Sequence, residues 1–269
     1  MVSEVRQPDV DPEVAEVYRR AVASLRDARL PFLVGGAWAL AWLTGITRRT
    51  KDLDLFVHRR DATRVLDALA AAGFETETRA PHWLGKAWCG VEFVDLIWGS
   101  ANGLAVVDDE WFDHAIPGTV LGHPVALCPW EETIWSKAWV MDRERFDGAD
   151  VAHILRVTAD KLDWHRLLRR FDGGWHVLLS HLLLFGFVYP GERPRVPPWI
   201  MRELLQRAEA EVENGPEGDA LCRGTLFSTE QYRVDVERWG YADGRLAPFG
   251  RLAPDDLVEG PRAARRRRR

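Results

Sequence analysis

Two aspartates two positions apart, Asp52 and Asp54, are the residues of this 269-residue chain best placed to do chemistry. They lie in an alternating run, Lys51 to Val57, with Leu53, Leu55 and Val57 on one face and Asp52, Asp54 and Phe56 on the other, the period of a strand. Residues two apart in a strand are separated by roughly 6.6 Å along the backbone. Both carboxylates can therefore lean onto one cation, and hard oxygen donors of this kind suit Mg²⁺. Upstream, Gly35-Gly36 follows the apolar run Phe32-Leu33-Val34 and precedes Ala37-Trp38-Ala39-Leu40-Ala41-Trp42-Leu43, which reads as strand, tight turn, helix. Glycines let backbone N–H groups approach an anion, and a helix N-terminus favours negative charge, so this turn suits phosphate. Neither element is specific alone; at this spacing the pair is a far stronger signal.

Two further groups stand out. Asp95 is flanked by apolar residues within Val91 to Trp98, a run rich in β-branched and aromatic residues, and a charge there is costly unless it is paired or bound to metal. Glu92, three residues earlier, falls on the opposite face. In a helix opening at Pro129, Trp130, Thr133, Ile134, Lys137 and Met141 form one stripe, so Lys137 either meets an anion or extends its amine to solvent. Glu131 and Glu132 sit in the first turn of that helix, where the dipole favours them.

The elements that must position these groups follow from periodicity. Asp11-Pro12 starts a helix running to about Arg29, with Val14, Val17, Tyr18, Ala21 and Leu25 on one face. After the central stretch, Asp61 caps a helix bearing Ala62, Val65, Leu66, Leu69 and Ala72, which Gly73 ends. Phe74 to Arg79 and Trp83 to Cys89 read as strands, and Ala101 to Leu127 as short strands and loops. Beyond the Pro129 helix, Asp147 caps a helix with Val151, Ile154 and Leu155 inward. Asp163 starts another, through Phe171. Trp175 to Phe187 is apolar on nearly all sides and reads as the central helix of a second domain. Pro197-Pro198 begins the last long helix, with Ile200, Leu204, Leu205, Ala208 and Val212 repeating.

Composition bounds the rest. A hydrophobic content of 46% supports substantial cores, and the longest apolar run, Trp175 to Tyr189, is broken by His176, Ser180 and His181 and is too short to span a bilayer. We read the chain as cytoplasmic, with no membrane role. Cys89, Cys128 and Cys222 lie far apart and read as reduced, mostly buried thiols; the histidines show no zinc spacing. Six of the 36 basic residues are arginines within 262–269, and the other 30 face 41 acidic residues, leaving −11 on the rest of the chain. An acidic body repels phosphate backbones, whereas the tail can contact nucleic acid. Walker, GxSxG and GxGxxG motifs are absent from the sequence.

Gly35-Gly36-Ala37, Gly45, Arg48, Thr50 and Asp52-Leu53-Asp54 together resemble the signature of the polymerase-β-type nucleotidyltransferase superfamily, nearest to its bacterial AbiEii-like and antibiotic nucleotidyltransferase-like branches. The resemblance covers about the first 120 residues. It implies an α/β (α+β) catalytic domain over 1–127, a mixed sheet covered by helices, followed by a helical domain over 128–213. An extension over 214–261 would pack back on the body and end in the basic tail 262–269, with the site in a cleft between the first two domains. It implies transfer of a nucleoside monophosphate from an NTP to an acceptor hydroxyl with release of pyrophosphate. Asp52, Asp54 and Asp95 would be catalytic and would hold Mg²⁺; Gly35, Gly36, Arg48, Thr50 and Lys137 would bind the nucleotide. Asp150 resembles a position that AbiEii-like proteins fill with aspartate. The helix Trp38 to Leu43 lacks the acidic residue usual in aminoglycoside and lincosamide enzymes, which argues against a small-drug acceptor. The favoured acceptor is RNA, a tRNA end, with a small molecule or a protein as the alternatives and an antitoxin as a partner of the toxin branch. A silent nucleotide-binding regulatory module is the rival reading, and the presence of all three carboxylates speaks against it.

Overall fold

The computed structural model describes residues 7–214 and 220–257. The arginine tail 262–269 and most of the linker expected at 214–219 lie outside the described residues. The chain divides into two compact units, with a split after Cys128 and with the stretch from Gly250 onward grouped with the first.

The first unit is a seven-stranded sheet with helices. Helix α1 (Pro12–Asp27) starts at the proline, but the Asp11 carboxylate makes no capping bond and faces Arg49 at 3.6 Å. Strand β1 (Leu33–Val34) leads through Gly35 into α2 (Gly36–Thr44), which ends at Gly45 in the left-handed conformation. Strand β2 (Leu53–Phe56) carries the aspartate motif, and α3 (Ala62–Ala71) follows a short 3₁₀ turn in which Asp61 bonds Arg64 and does not cap. Strands β3 (Glu75–Ala80), β4 (Leu84–Cys89) and β5 (Glu92–Ile97) come next. The stretch expected to hold only strands and loops contains a short helix, α4 (Asp109–Asp113), before β6 (Ile116–Val120) and β7 (His123–Leu127). Its acidic first turn and fully buried Trp111 explain why it forms despite its length.

The sheet order is β3-β4-β5-β2-β1-β7-β6. β2 runs parallel to β5 and antiparallel to β1, and β1 runs parallel to β7, so the sheet is mixed. Leu53, Leu55, Val94 and Leu96 are fully buried in one core with Tyr18, Val22 and Leu25 of α1 and Val65 and Leu69 of α3. Burying each such aliphatic side chain contributes about 1.5–3 kcal/mol. Because the side-chain period is two, fixing these leucines inward turns the intervening acids to the opposite face.

The second unit is helical: α5 (Trp130–Ala138), α6 (Gly148–Thr158), α7 (Trp164–Phe171), α8 (Trp175–Val188), α9 (Pro198–Asn214) and the short α10 (Arg233–Glu237), with a two-strand ladder of β8 (Leu221–Cys222) and β9 (Ala242–Asp243). α7 starts after Asp163 as expected, and the Asp163 carboxylate caps it by accepting from the Arg166 N–H at 3.0 Å. Three expectations need correction. α5 stops at Ala138, so Met141 is not on its stripe and bridges Phe146 instead. Asp147 does not cap α6 with its side chain, which is taken by basic groups described below. α8 is embedded on one face only: Val177, Leu178, His181, Leu182 and Phe185 are buried, whereas Leu183, Leu184, Phe187 and Val188 are exposed. The apolar run Trp164–Val188 has the length and composition of a membrane span, but a 3₁₀ turn divides it and part of it packs into this unit. From the later chain, Phe227 stacks on Trp139 and Ser228 donates to Asp142 at 2.7 Å.

Candidate metal and nucleotide site

The parallel register of β2 and β5 sets Asp54 beside Asp95, and Asp52 precedes Asp54 on the same face. Carboxylate oxygens of Asp52, Asp54 and Asp95 lie within 4.8 Å of one another, and all three residues are partly exposed. Three clustered hard oxygen donors, open to solvent on one side, fit a divalent cation such as Mg²⁺. Thr50 orients the first of them, its hydroxyl donating to Asp52 Oδ1 at 2.9 Å and lying 3.2 Å from the Asp52 carbonyl. The Trp38 indole N–H reaches that same carbonyl at 3.3 Å.

The two glycines are required by close approach. A Cβ on Gly36 would lie 1.7 Å from Asp54 Oδ2, and its φ of +54° is one that side-chain-bearing residues avoid. A Cβ on Gly35 would lie 2.3 Å from the Phe56 ring, which stacks on Trp111 with centroids 5.1 Å apart. The Gly35 N–H donates to the Asp54 carbonyl at 3.0 Å. The turn thus brings the N-terminus of α2 against the carboxylate strand, where first-turn N–H groups favour an anion.

Lys86, which the sequence reading passed over, completes the cluster. It lies opposite Asp95 in the antiparallel β4–β5 pair, and its ammonium donates to Asp95 Oδ1. The same Nζ is 3.9 Å from the centroid of the Phe93 ring and 5.5 Å from that of Trp88. Burial pushes the Asp95 carboxyl above the usual carboxylate range, against the pull of the Lys86 hydrogen bond and charge, with the negative charge of Asp52 adding to the rise. The field extends to Tyr18, whose buried phenol is raised by burial and then by Glu92, Asp52, Asp54 and Asp95. A lysine in a short strand is an ordinary surface residue by pattern; only the cross-strand register marks it.

The other expected residues are placed as follows. Arg48 is exposed and its carbonyl accepts from the Asp9 N–H at 3.2 Å. Lys137 belongs to the helical unit, and the anion that its stripe position requires is supplied there: Nζ lies 2.9 Å from Asp147 Oδ2 and 2.8 Å from Asp150 Oδ2. Burial raises the Asp147 carboxyl, but the hydrogen bonds and charges of Arg145 and Lys137 outweigh it and hold the group below its ordinary value. Asp150 has its carboxylate on Lys137, which accounts for an acid in that helix. Glu131 and Glu132 are buried, and more than the helix dipole holds them: Glu131 accepts from Arg166, and Glu132 from Arg170 at 3.0 Å. Cys89, Cys128 and Cys222 are free thiols, the last two buried.

A family described as uncharacterised nucleotidyltransferase matches residues 18–182. No curated protein matches the sequence. Among solved structures, the antibiotic-resistance factor ANT(2'')-Ia aligns at 19% identity over 64% of this chain and 98% of its own, with a TM-score of 0.47. Lincomycin-bound LnuA, a lincosamide antibiotic adenylyltransferase, aligns at 14% identity over 53% of this chain and 97% of its own, with a TM-score of 0.40. An antigenic nucleotidyltransferase-like protein from Paracoccidioides brasiliensis aligns at 17% identity over 70% of this chain and 94% of its own, with a TM-score of 0.41. Likenesses this remote support no assignment of substrate. The family match, by contrast, spans more than half of the sequence and takes in both glycines, Thr50, Lys86 and all three clustered aspartates, and the chain belongs to that family of nucleotidyltransferases.

Proposed function

We propose that the protein transfers a nucleoside monophosphate from an NTP to an acceptor hydroxyl, with pyrophosphate as the leaving group. The observation that carries this reading is the gathering of Asp52, Asp54 and Asp95 beside the Gly35-Gly36 turn, in a member of a nucleotidyltransferase family. Asp52 and Asp54 would hold Mg²⁺, with Thr50 fixing the orientation of Asp52. Bound Mg²⁺ would offset negative charge on the attacking and leaving oxygens. The first-turn N–H groups of α2 would face the triphosphate, and Gly36 keeps that helix end close to Asp54. Asp95 would take the acceptor hydroxyl proton as the new oxygen–phosphorus bond forms and the bond to pyrophosphate breaks. Its raised basicity, caused by burial, suits that role. Arg48 remains a candidate for phosphate contact from its exposed position. Lys137 is less suited, because two carboxylates already meet its charge.

For the acceptor we favour RNA, a tRNA end, met in the cytoplasm, because the helical half resembles the toxin branch more than the drug-modifying one; an acidic body would then meet the polyanion through the arginines within 262–269. A small molecule or a protein hydroxyl is the alternative. Incubation of the protein with each α-labelled NTP, Mg²⁺, and total RNA, small metabolites or cell proteins tests both levels. Label in RNA supports the whole reading, and label only in another fraction replaces the acceptor. No label in any fraction with any of the four NTPs rejects nucleotidyl transfer.

A further inference from the structure

The ammonium of Lys86 meets three groups. It donates to Asp95 Oδ1, sits 3.9 Å over the Phe93 ring and 5.5 Å from the Trp88 ring, and its side chain is only 16% exposed. The antiparallel register fixes Lys86 directly across from Asp95, so this contact is built by the backbone. A cation desolvated against aromatic faces and a carboxylate is held more firmly than a surface lysine, whose chain would lose several rotamers to make the same bond. A divalent cation shared by Asp52, Asp54 and Asp95 would compete with this ammonium for Asp95 and would lie a few ångströms from a like charge. Trp88 and Phe93, themselves a cross-strand pair with centroids 4.8 Å apart, hold the ammonium beside Asp95 from one side.

We infer that Lys86 is a built-in cation of the site: its ammonium stays on Asp95 in the place a second divalent cation would need, so the chain holds a single divalent cation, on Asp52 and Asp54. The inference rests on the nucleotidyl-transfer reading and deepens it. An ammonium neutralises Asp95 but has no open coordination position, so it cannot draw in an acceptor oxygen as a metal would. Lys86 is therefore a positioning residue that acts through Asp95.

Electron paramagnetic resonance with Mn²⁺ and inorganic tripolyphosphate, the part common to all NTPs, tests this without turnover. Two Mn²⁺ ions in a shared carboxylate site lie about 3.5–4 Å apart and give a spin-coupled spectrum. The wild type is expected to bind one uncoupled Mn²⁺ per chain, Lys86→Arg likewise one, and Lys86→Met a coupled pair, with folding of each variant checked by circular dichroism. A coupled pair in the wild type overturns the inference while leaving nucleotidyl transfer intact, as does a single Mn²⁺ in folded Lys86→Met. If Lys86→Met does not fold, the wild-type spectrum decides alone. No protein-bound Mn²⁺ in wild type or variant would sink the metal-dependent reading itself, and this inference with it.

Discussion

The two units of the chain treat charge in opposite ways. In the sheet unit, Asp52, Asp54 and Asp95 bring acid against acid on a partly exposed face, with Lys86 set against Asp95. In the helical unit acids alternate with bases: Glu131 and Glu132 lie against Arg166 and Arg170, and Asp147 and Asp150 against Lys137 and Arg145. Folding alone would not gather like charges, since each raises the cost of ionising the next. Buried acids set against bases, by contrast, offset one another's charge without a ligand. The difference teaches that acids gathered against one another on an open face mark a site, whereas buried acids each set against a base mark scaffolding.

The largest expected effect separates the two regions outright. Asp52→Ala or Asp54→Ala should abolish transfer of labelled NMP while leaving the thermal midpoint unchanged or slightly raised, because like-charge repulsion is relieved at a position outside the core. Wild-type turnover by either variant would remove the distinction drawn above. Next in size, Arg166→Met should destabilise the chain by about 3–5 kcal/mol in urea unfolding, because Glu131 loses its arginine while buried and Glu132 keeps only Arg170. A loss below about 1 kcal/mol, the range of exposed pairs, would show that the buried pairing is not structural.

Gly36→Ala should fall between the two kinds of region. The left-handed conformation costs about 1–2 kcal/mol, and the new Cβ must displace the Asp54 carboxylate, so stability and Mn²⁺ affinity should drop together. A fall in stability with unchanged metal affinity would detach the turn from the site. The smallest effect is a pH slope in the helical unit. His181 is buried, which lowers its pKa below the ordinary 6.5, while its hydrogen bond to the Ala138 carbonyl acts the other way. The unfolded chain then binds the proton more readily. The stability from keeping His181 neutral is complete above about pH 6.5 and is lost as pH falls through the folded value. Urea titrations between pH 7.5 and 5 should show that decline in the wild type and a flatter profile in His181→Gln, with the pH range set about the ordinary histidine value. Equal slopes would exclude His181 as the source.

Much of the sheet unit was legible in the sequence because local rules and burial agree there. The alternation of Leu53 and Leu55 with Asp52 and Asp54 fixed both the strand and the face on which the acids stand. The strand holding Asp95, a β-branched and aromatic run, and the helix that Gly73 closes were also readable. Helix α4 was missed because five residues are too few to show a period, and its anchor is the long-range packing of Trp111 on Phe56. The stripe position of Lys137 shows that a lysine there meets an anion or solvent, but not which acids face it. Both of its partners lie on the following helix and its approach.

Residue type and spacing by themselves determined the carboxylates of β2, the glycine turn before them and the acid in the middle of β5, since each is a local pattern with a period of two or a required backbone conformation. Tertiary structure alone decided that Asp54 stands beside Asp95, that Gly36 must lack a side chain because Asp54 occupies its space, and that Lys86 reaches the cluster at all. The physical reason is that these depend on strand order and register. Both are set by burying leucines and valines against α1 and α3, residues that take no part in the chemistry.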